Sequence, residues 1–260
     1  MMPRSALALL LVFLPIGVAA QSPSSDPMAL TVAQKSLAAL VGQLAGHQAN
    51  LADVTLDAEV TSSTGSETES GTGTFKARGF AESRVDLNLG GETRSDVRSA
   101  SGGAWQQNGA AAKAYAGHNC MTDAAWFFPA LSSLAQTANS SYVFKYIGVE
   151  EHDSVNTQHI QVFQAFPQDS TGVLQQLSTM DFYLNAASGL PVAVVFQTHA
   201  DNNLKVNIPT EVSFSNYQTV SGIQIPFSFQ KKLNGNVVLS AQVTSAVVNT
   251  GLTDNLFSLQ

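Results

Sequence analysis

The chain has 260 residues, of which 44% are hydrophobic and only 12% charged. That is too apolar for a disordered chain, and the charged share is about half that of an ordinary globular protein. Its 19 acidic residues outnumber 12 basic ones, with no basic run longer than Lys231-Lys232, which argues against nucleic-acid binding, and one cysteine excludes both an intramolecular disulfide and a CxxC zinc site.

Met1-Met2-Pro3-Arg4 opens the chain with a positive charge, Ser5 to Val18 is almost wholly apolar, and Val18-Ala19-Ala20 ends in small residues. Positive, apolar and small residues in that order predict a secretory signal peptide over residues 1–20, cleaved before Gln21. The apolar run contains Pro15 and Gly17 and falls short of the ~20 residues needed to span a bilayer. The expected location is therefore periplasmic or secreted, with no integral membrane segment in the mature chain.

Residues 21–27 form a polar lead-in, and residues 28–260 read as one domain. Asp26-Pro27 is an N-cap followed by a proline in the first turn. Leu30, Ala33, Leu37, Leu40, Val41 and Leu44 then recur at helical spacing, with Gly46 as the expected stop.

From Val54 the period changes to two. Strands are expected around Val54–Val60, Phe75–Arg78 and Val85–Leu89, with Thr61–Gly73 as an exposed loop rich in Ser, Thr, Gly and Glu. Ser99–Gly117 holds a weak strand around Trp105, and Thr122-Asp123 caps a short second helix over 124–134. Further strands follow at 142–149, 159–166, 180–184, 192–198, 204–208 and 212–217. The last pair is the clearest: Ile223, Ile225, Phe227 and Phe229 in phase, the turn Asn234-Gly235, then Val237–Val248. Pro226 points to an edge position or a bulge.

About ten strands at ~4.8 Å each make a sheet far wider than one helix, which is ~10 Å across. The apolar face must still be hidden from water. An antiparallel sheet curled into an incomplete β-barrel, with both helices against its concave face, satisfies both demands. Composition by itself assigns Trp126, Phe127 and Phe128 to a filled core. Apolar concave surface left over beside a slim, alanine-rich helix would instead form a ligand pocket.

Three stretches carry a family resemblance: Gly73-Thr-Phe-Lys-Ala-Arg78, Asp181-Phe-Tyr-Leu184 with Ser188-Gly-Leu-Pro191, and Tyr217 through Gly222 to Pro226 with Asn249 through Asp254 to Phe257. The layout resembles periplasmic lipoprotein carriers of the LolA type, a superfamily that includes LolB-like and RseB-like domains. The resemblance implies an incomplete barrel that binds acyl chains, with no catalysis, cofactor or metal. It makes a lipid or acylated lipoprotein the expected partner, with an envelope protein as the alternative for an RseB-like sensor. Candidate ligand-binding residues are Arg78, by resemblance, together with Trp105, Trp126, Phe127 and Phe128. The segment from His118 to Leu131 has no counterpart in those carriers.

Enzyme motifs are missing: there is no Gly-x-Ser-x-Gly, no His-Glu-x-x-His and no phosphate-binding glycine loop. A secreted hydrolase remains the least favoured reading, with His118 and Cys120 as a thiolate–imidazolium pair and Asp123 orienting the histidine. His152 and His159, with Glu150 or Glu151, are the one arrangement that resembles metal ligands, and loop histidines beside acids are common without a metal.

Overall fold

The computed structural model describes residues 24–44, 47–48, 51–99 and 102–259. The expected signal peptide lies outside them. Helix α1 spans Pro27–Val41, opened by the Asp26 carboxylate, which accepts a 2.8 Å hydrogen bond from Met28 N. It buries Ala29, Val32, Ala33, Ser36, Leu37 and Leu40, a stripe of mostly small residues. It stops at Gly42, four residues before the expected Gly46, because Gly42 takes a positive φ of 70° that ends the helical path. A small antiparallel pair follows, β1 (Gln43–Leu44) with β2 (His47–Gln48).

The main sheet begins with β3 (Asp53–Thr64), β4 (Glu67–Arg78), β5 (Glu82–Leu89), β6 (Glu92–Ser99), β7 (Gly102–Gln107) and the short β8 (Lys113–Ala114). After an irregular excursion come β9 (Tyr142–His152), β10 (Val155–Gln164), helix α2 (Val173–Ser178), β11 (Met180–Asn185) and β12 (Pro191–Ala200). The long strand β13 (Asn203–Val220), β14 (Ile223–Leu233) and β15 (Asn236–Val248) complete it. The thirteen strands are ordered β8-β7-β6-β5-β4-β3-β15-β14-β13-β12-β11-β10-β9, all neighbours antiparallel. β8 and β9 are not paired among the described residues, so the sheet is not closed into a barrel. Register shifts at His159/Ile160, Tyr183/Leu184, Lys231/Lys232 and Val243/Ser245 tighten its twist.

Three expectations change. Thr61–Gly73 is not a loop: β3 and β4 pair through it with only Gly65 and Ser66 in the turn. Cross-strand hydroxyls hold its register, Thr61 with Ser70 at 3.2 Å and Ser63 with Thr68 at 3.3 Å. The strands expected at 204–208 and 212–217 are one strand, β13, with Pro209 inside it. Residues 124–134 form turns and two 3-10 helices, Pro129–Leu131 and Ser133–Ala135, in place of an α-helix. Pro226 behaves as expected: β15 pairs with β14 only from Ser228 onward, so the missing N–H of Pro226 breaks no ladder on that side.

The core lies on the concave face. α1 covers one part of it, against β9, β10 and β14. The outer face of β4 and β5 is covered by the C-terminal tail, which carries the buried Phe257.

Candidate functional site

The part of the concave face that α1 leaves open is covered by residues 121–136, which act as a plug. Phe127 and Phe128 are fully buried, and Trp126 is half-buried. Phe127 packs on Phe75 of β4 at 5.3 Å between ring centroids, and Phe75 meets Phe229 of β14 edge-on at 5.0 Å. Trp126 meets Phe127, Phe229 and Phe75 edge-on at 5.5, 6.1 and 6.3 Å. Such rings combine large apolar area with favourable edge-to-face geometry. The apolar surface expected to be left beside α1 is thus occupied by the protein's own rings. Two open depressions, of about 290 and 300 Å³, are lined largely by polar outer-face residues such as Thr72, Thr74, Gln161 and Asp181.

The plug has few backbone ties to the sheet and is pinned by side chains. The Asp123 carboxylate accepts from Ser133 N at 2.9 Å and Ser133 Oγ at 3.0 Å, and burial pushes its pKa up to about 6. Arg98 Nη2 of β6 donates to Thr122 O at 2.7 Å. Ser132 Oγ donates to Pro129 O at 2.6 Å and accepts from Leu134 N at 3.2 Å.

Of the five candidate residues, the fold brings three together: Trp126, Phe127 and Phe128. Trp105 sits on the concave side of β7, opposite Asp96 of β6, with the Arg94 guanidinium and Lys113 Nζ each 4.9 Å from its ring centroid. Among the described residues it makes no ring contact with the plug. Arg78 lies on the opposite face of β4 from Phe75. It is engaged there by Glu82 and Asp254, each at 2.6 Å, by Leu252 O at 3.0 Å and by the Phe257 ring at 5.1 Å. These contacts clamp the C-terminal tail.

His118 and Cys120 do not pair. They sit in a 3-10 turn, where residues two apart do not share a face, and His118 Nε2 turns to Ala200 O at 3.2 Å. Burial pushes the Cys120 thiol pKa up, away from a reactive thiolate. His152 and His159 lie on the outer face and stack on Tyr183 at 3.9 and 4.4 Å. His152, Asp153 and Glu211 place ligand atoms within 4.8 Å of one another. Lys232 Nζ, 2.7 Å from Glu211 and 3.8 Å from Asp153, already supplies the neutralising charge there.

His159 bonds Glu150 through Nδ1 and Asp181 through Nε2 at 2.9 Å. Burial opposes its charged form, but the hydrogen bonds and charges of Asp181 and Glu150 prevail and raise its pKa. Its contribution to stability is full below the unfolded value near 6.5 and fades as pH rises through the folded value. His159→Gln is expected to cost about 1 kcal/mol at pH 5.5 and clearly less at pH 9, measured by urea unfolding. An equal loss at both pH values would contradict the ionic pairing.

The residues that the sequence reading passed over are Arg98 and Lys231. Lys231 continues the in-phase series Ile223, Ile225, Phe227 and Phe229, so a charge occupies an inward position. Arg94, Asp96 and Arg98 do the same on β6, pairing with Leu87, Val85 and Ser83 on the face that carries Phe75. A charge in the apolar phase of a strand is the signal that identifies them.

No protein-family model matches the sequence, and no curated protein matches it. Solved structures do. A domain described as an outer membrane lipoprotein-sorting protein from Vibrio parahaemolyticus is 13% identical, with TM-score 0.54, over 88% of this chain and 96% of that one. A DUF1329 family protein from Desulfovibrio piger is 12% identical, with TM-score 0.54, over 90% and 98%. A LolA superfamily protein from Nitrosomonas europaea is 9% identical, with TM-score 0.53, over 89% and 97%. The matches span nearly the whole of each of these solved structures, and at such low identity they show a shared fold. The chain shares its fold with these three proteins, a lipoprotein-sorting domain, a DUF1329 family protein and a LolA superfamily protein, at 9–13% sequence identity.

Proposed function

We propose that this chain is an exported, carrier-like binding protein of the cell envelope, with residues 28–260 as its LolA-like domain. It holds the acyl chain of a lipid or lipoprotein against the concave face in exchange for the plug at residues 121–136. The observation that carries the reading is the nature of that plug. The centre of the concave face is filled by a segment with neither α-helix nor strand, whose rings Phe127 and Phe128 are fully buried there. Short 3-10 pieces are inexpensive to rearrange, and each methylene buried in return is worth ~0.8 kcal/mol. No catalytic group, cofactor or metal is assigned. Among the described residues no helix is long and apolar enough to cross a membrane.

The test is a titration of the Trp105→Phe variant with a fluorescent fatty acid, leaving Trp126 as the only tryptophan. Saturable binding with a shift in Trp126 emission is expected, with circular dichroism confirming the fold. Absence of binding, together with lipid-free protein in native mass spectrometry from its own host, would overturn it. A protein-interaction module would then be favoured. It would use the free stretch of edge strand β9 after Tyr146, where Ile147 and Val149 are more than half exposed.

A further inference from the structure

The concave face holds two positive groups, Lys231 and Arg98, that make no ion pair with a carboxylate among the described residues, although Asp96 favours the charge on the first and Asp123 the charge on the second. Lys231 of β14 pairs with Val212 and Leu239, and so points to the same side as Phe229. Its Nζ lies 4.5 Å from the Trp126 ring centroid and has no hydrogen-bond or ion-pair partner among the described residues. Burial pulls its pKa down to about 8. Arg98 of β6 reaches the plug through Nη2, while its Nε is buried and unpartnered. Gly103 makes the room for Arg98: a Cβ there would lie 2.8 Å from Arg98 Cδ and 2.9 Å from Val97 O.

The nearby carboxylates are otherwise engaged. Asp96 accepts from Arg94 at 2.8 and 3.0 Å and from the Tyr115 hydroxyl. Asp123 is bonded to Ser133. Arg94 and Arg98 both disfavour the charged form of Lys231, and only Asp96 opposes them. A partly buried cation without a carboxylate partner costs stability, and two of them beside an aromatic wall are compensated when an anion joins them. Lysine supplies a point charge, and the arginine Nε supplies a directed donor for an oxyanion.

We infer that Lys231 and Arg98, bordered by Trp126, form a binding subsite for the oxyanion of a phosphate or carboxylate group. In the carrier reading, on which the headgroup form of this inference rests, that group is the charged head of an amphiphile whose chain displaces the plug rings. Trp126, between the charge and the aromatic cluster, marks the boundary between head and tail.

The experiment uses the full mature chain with lysines reductively methylated with carbon-13, so that NMR follows the Lys231 pKa. Assignment comes from Lys231→Gln. Probes are inorganic phosphate, dodecyl phosphate and dodecanol. A rise in the Lys231 pKa towards the ordinary lysine range with both phosphates supports a pocket for free oxyanions. A rise with dodecyl phosphate alone supports a headgroup subsite. In either case Arg98→Gln is expected to weaken the effective phosphate about tenfold without altering the circular dichroism spectrum. No rise with either phosphate overturns the subsite. Dodecanol separates the two ideas, because its binding without any phosphate effect removes the subsite and leaves the acyl-carrier reading standing. Failure of dodecanol and dodecyl phosphate alike, with inorganic phosphate still acting, removes the carrier reading and leaves the anion pocket.

Discussion

Replacing Phe127 with alanine is expected to lower the free energy of unfolding by about 3–5 kcal/mol. The ring is fully buried and touches partners from three places: Phe75 at 5.3 Å, Trp126 at 5.5 Å and Phe229 at 6.4 Å. Phe75 and Phe229 sit on hydrogen-bonded strands that cannot close over the space, so most of the cavity term is retained. Trp126→Ala is expected to cost less, because that ring is only partly buried. Urea unfolding of both variants checks the order, and a Phe127→Ala loss below about 1 kcal/mol would mean the plug is loosely held. The same substitution bears on function with a defined sign. If Phe127 were a wall of an empty pocket, as the sequence reading has it, truncation would weaken acyl binding. As the occupant of the concave face it competes with the ligand, so truncation favours the displaced state and fluorescent fatty acid affinity is expected to rise.

Asp53→Ala is expected to cost about 3 kcal/mol and to free the C-terminal tail from the outer face. Asp53 is 2% exposed, and its carboxylate accepts from Thr250 N at 2.8 Å, Thr250 Oγ1 at 3.1 Å, Gly251 N at 2.9 Å and Leu252 N at 3.3 Å. Gly251, at φ 78°, takes the left-handed backbone that lets successive N–H groups converge on one carboxylate. Loss of these bonds releases Phe257, together with the contacts that Arg78 and Arg84 make to Leu252 O and Leu256 O. Burial alone would raise the Asp53 pKa, but the donors from Thr250, Gly251 and Leu252 prevail and lower it. A depressed carboxylate stabilises the fold above its unfolded pKa, near 3.9, and that contribution is lost as pH falls through the lower folded value. The difference between wild type and Asp53→Asn is therefore expected to be full at pH 7 and to shrink only in strong acid. A pH-independent difference would contradict this account. Limited proteolysis of Asp53→Ala should cut first after residue 249, and an uncut tail would show that Phe257 holds it unaided.

Much of the architecture is a property of local sequence. The Asp26-Pro27 start of α1 needs nothing beyond its own residues, because an acceptor and a fixed φ satisfy the first turn wherever it is placed. Strands with one apolar face announce themselves by alternation, and Asn234-Gly235, at φ 49° and 78°, forms its hairpin for reasons confined to two residues. The need for a curled sheet follows from strand number against helix width.

The tertiary structure decided what faces what. β6 is invisible to alternation because its inward positions are Arg94, Asp96 and Arg98, and the β3–β4 hairpin because its exposed Ser, Thr and Glu residues hide no apolar face. Thr122-Asp123 has the chemistry of a helix cap, yet the Asp123 carboxylate reaches Ser133, ten residues on, since burial among rings outweighs a local capping preference. Arg78, a candidate ligand contact by resemblance, grips Asp254, which no reading of β4 alone could place beside it. The position of Lys231 over Trp126 depends on β14 and the plug meeting across the concave face, a long-range contact set by packing. Local order is written in short-range dihedral and capping preferences, whereas the candidate site is made from residues as far apart as Arg98 and Lys231, which only the curled sheet brings together.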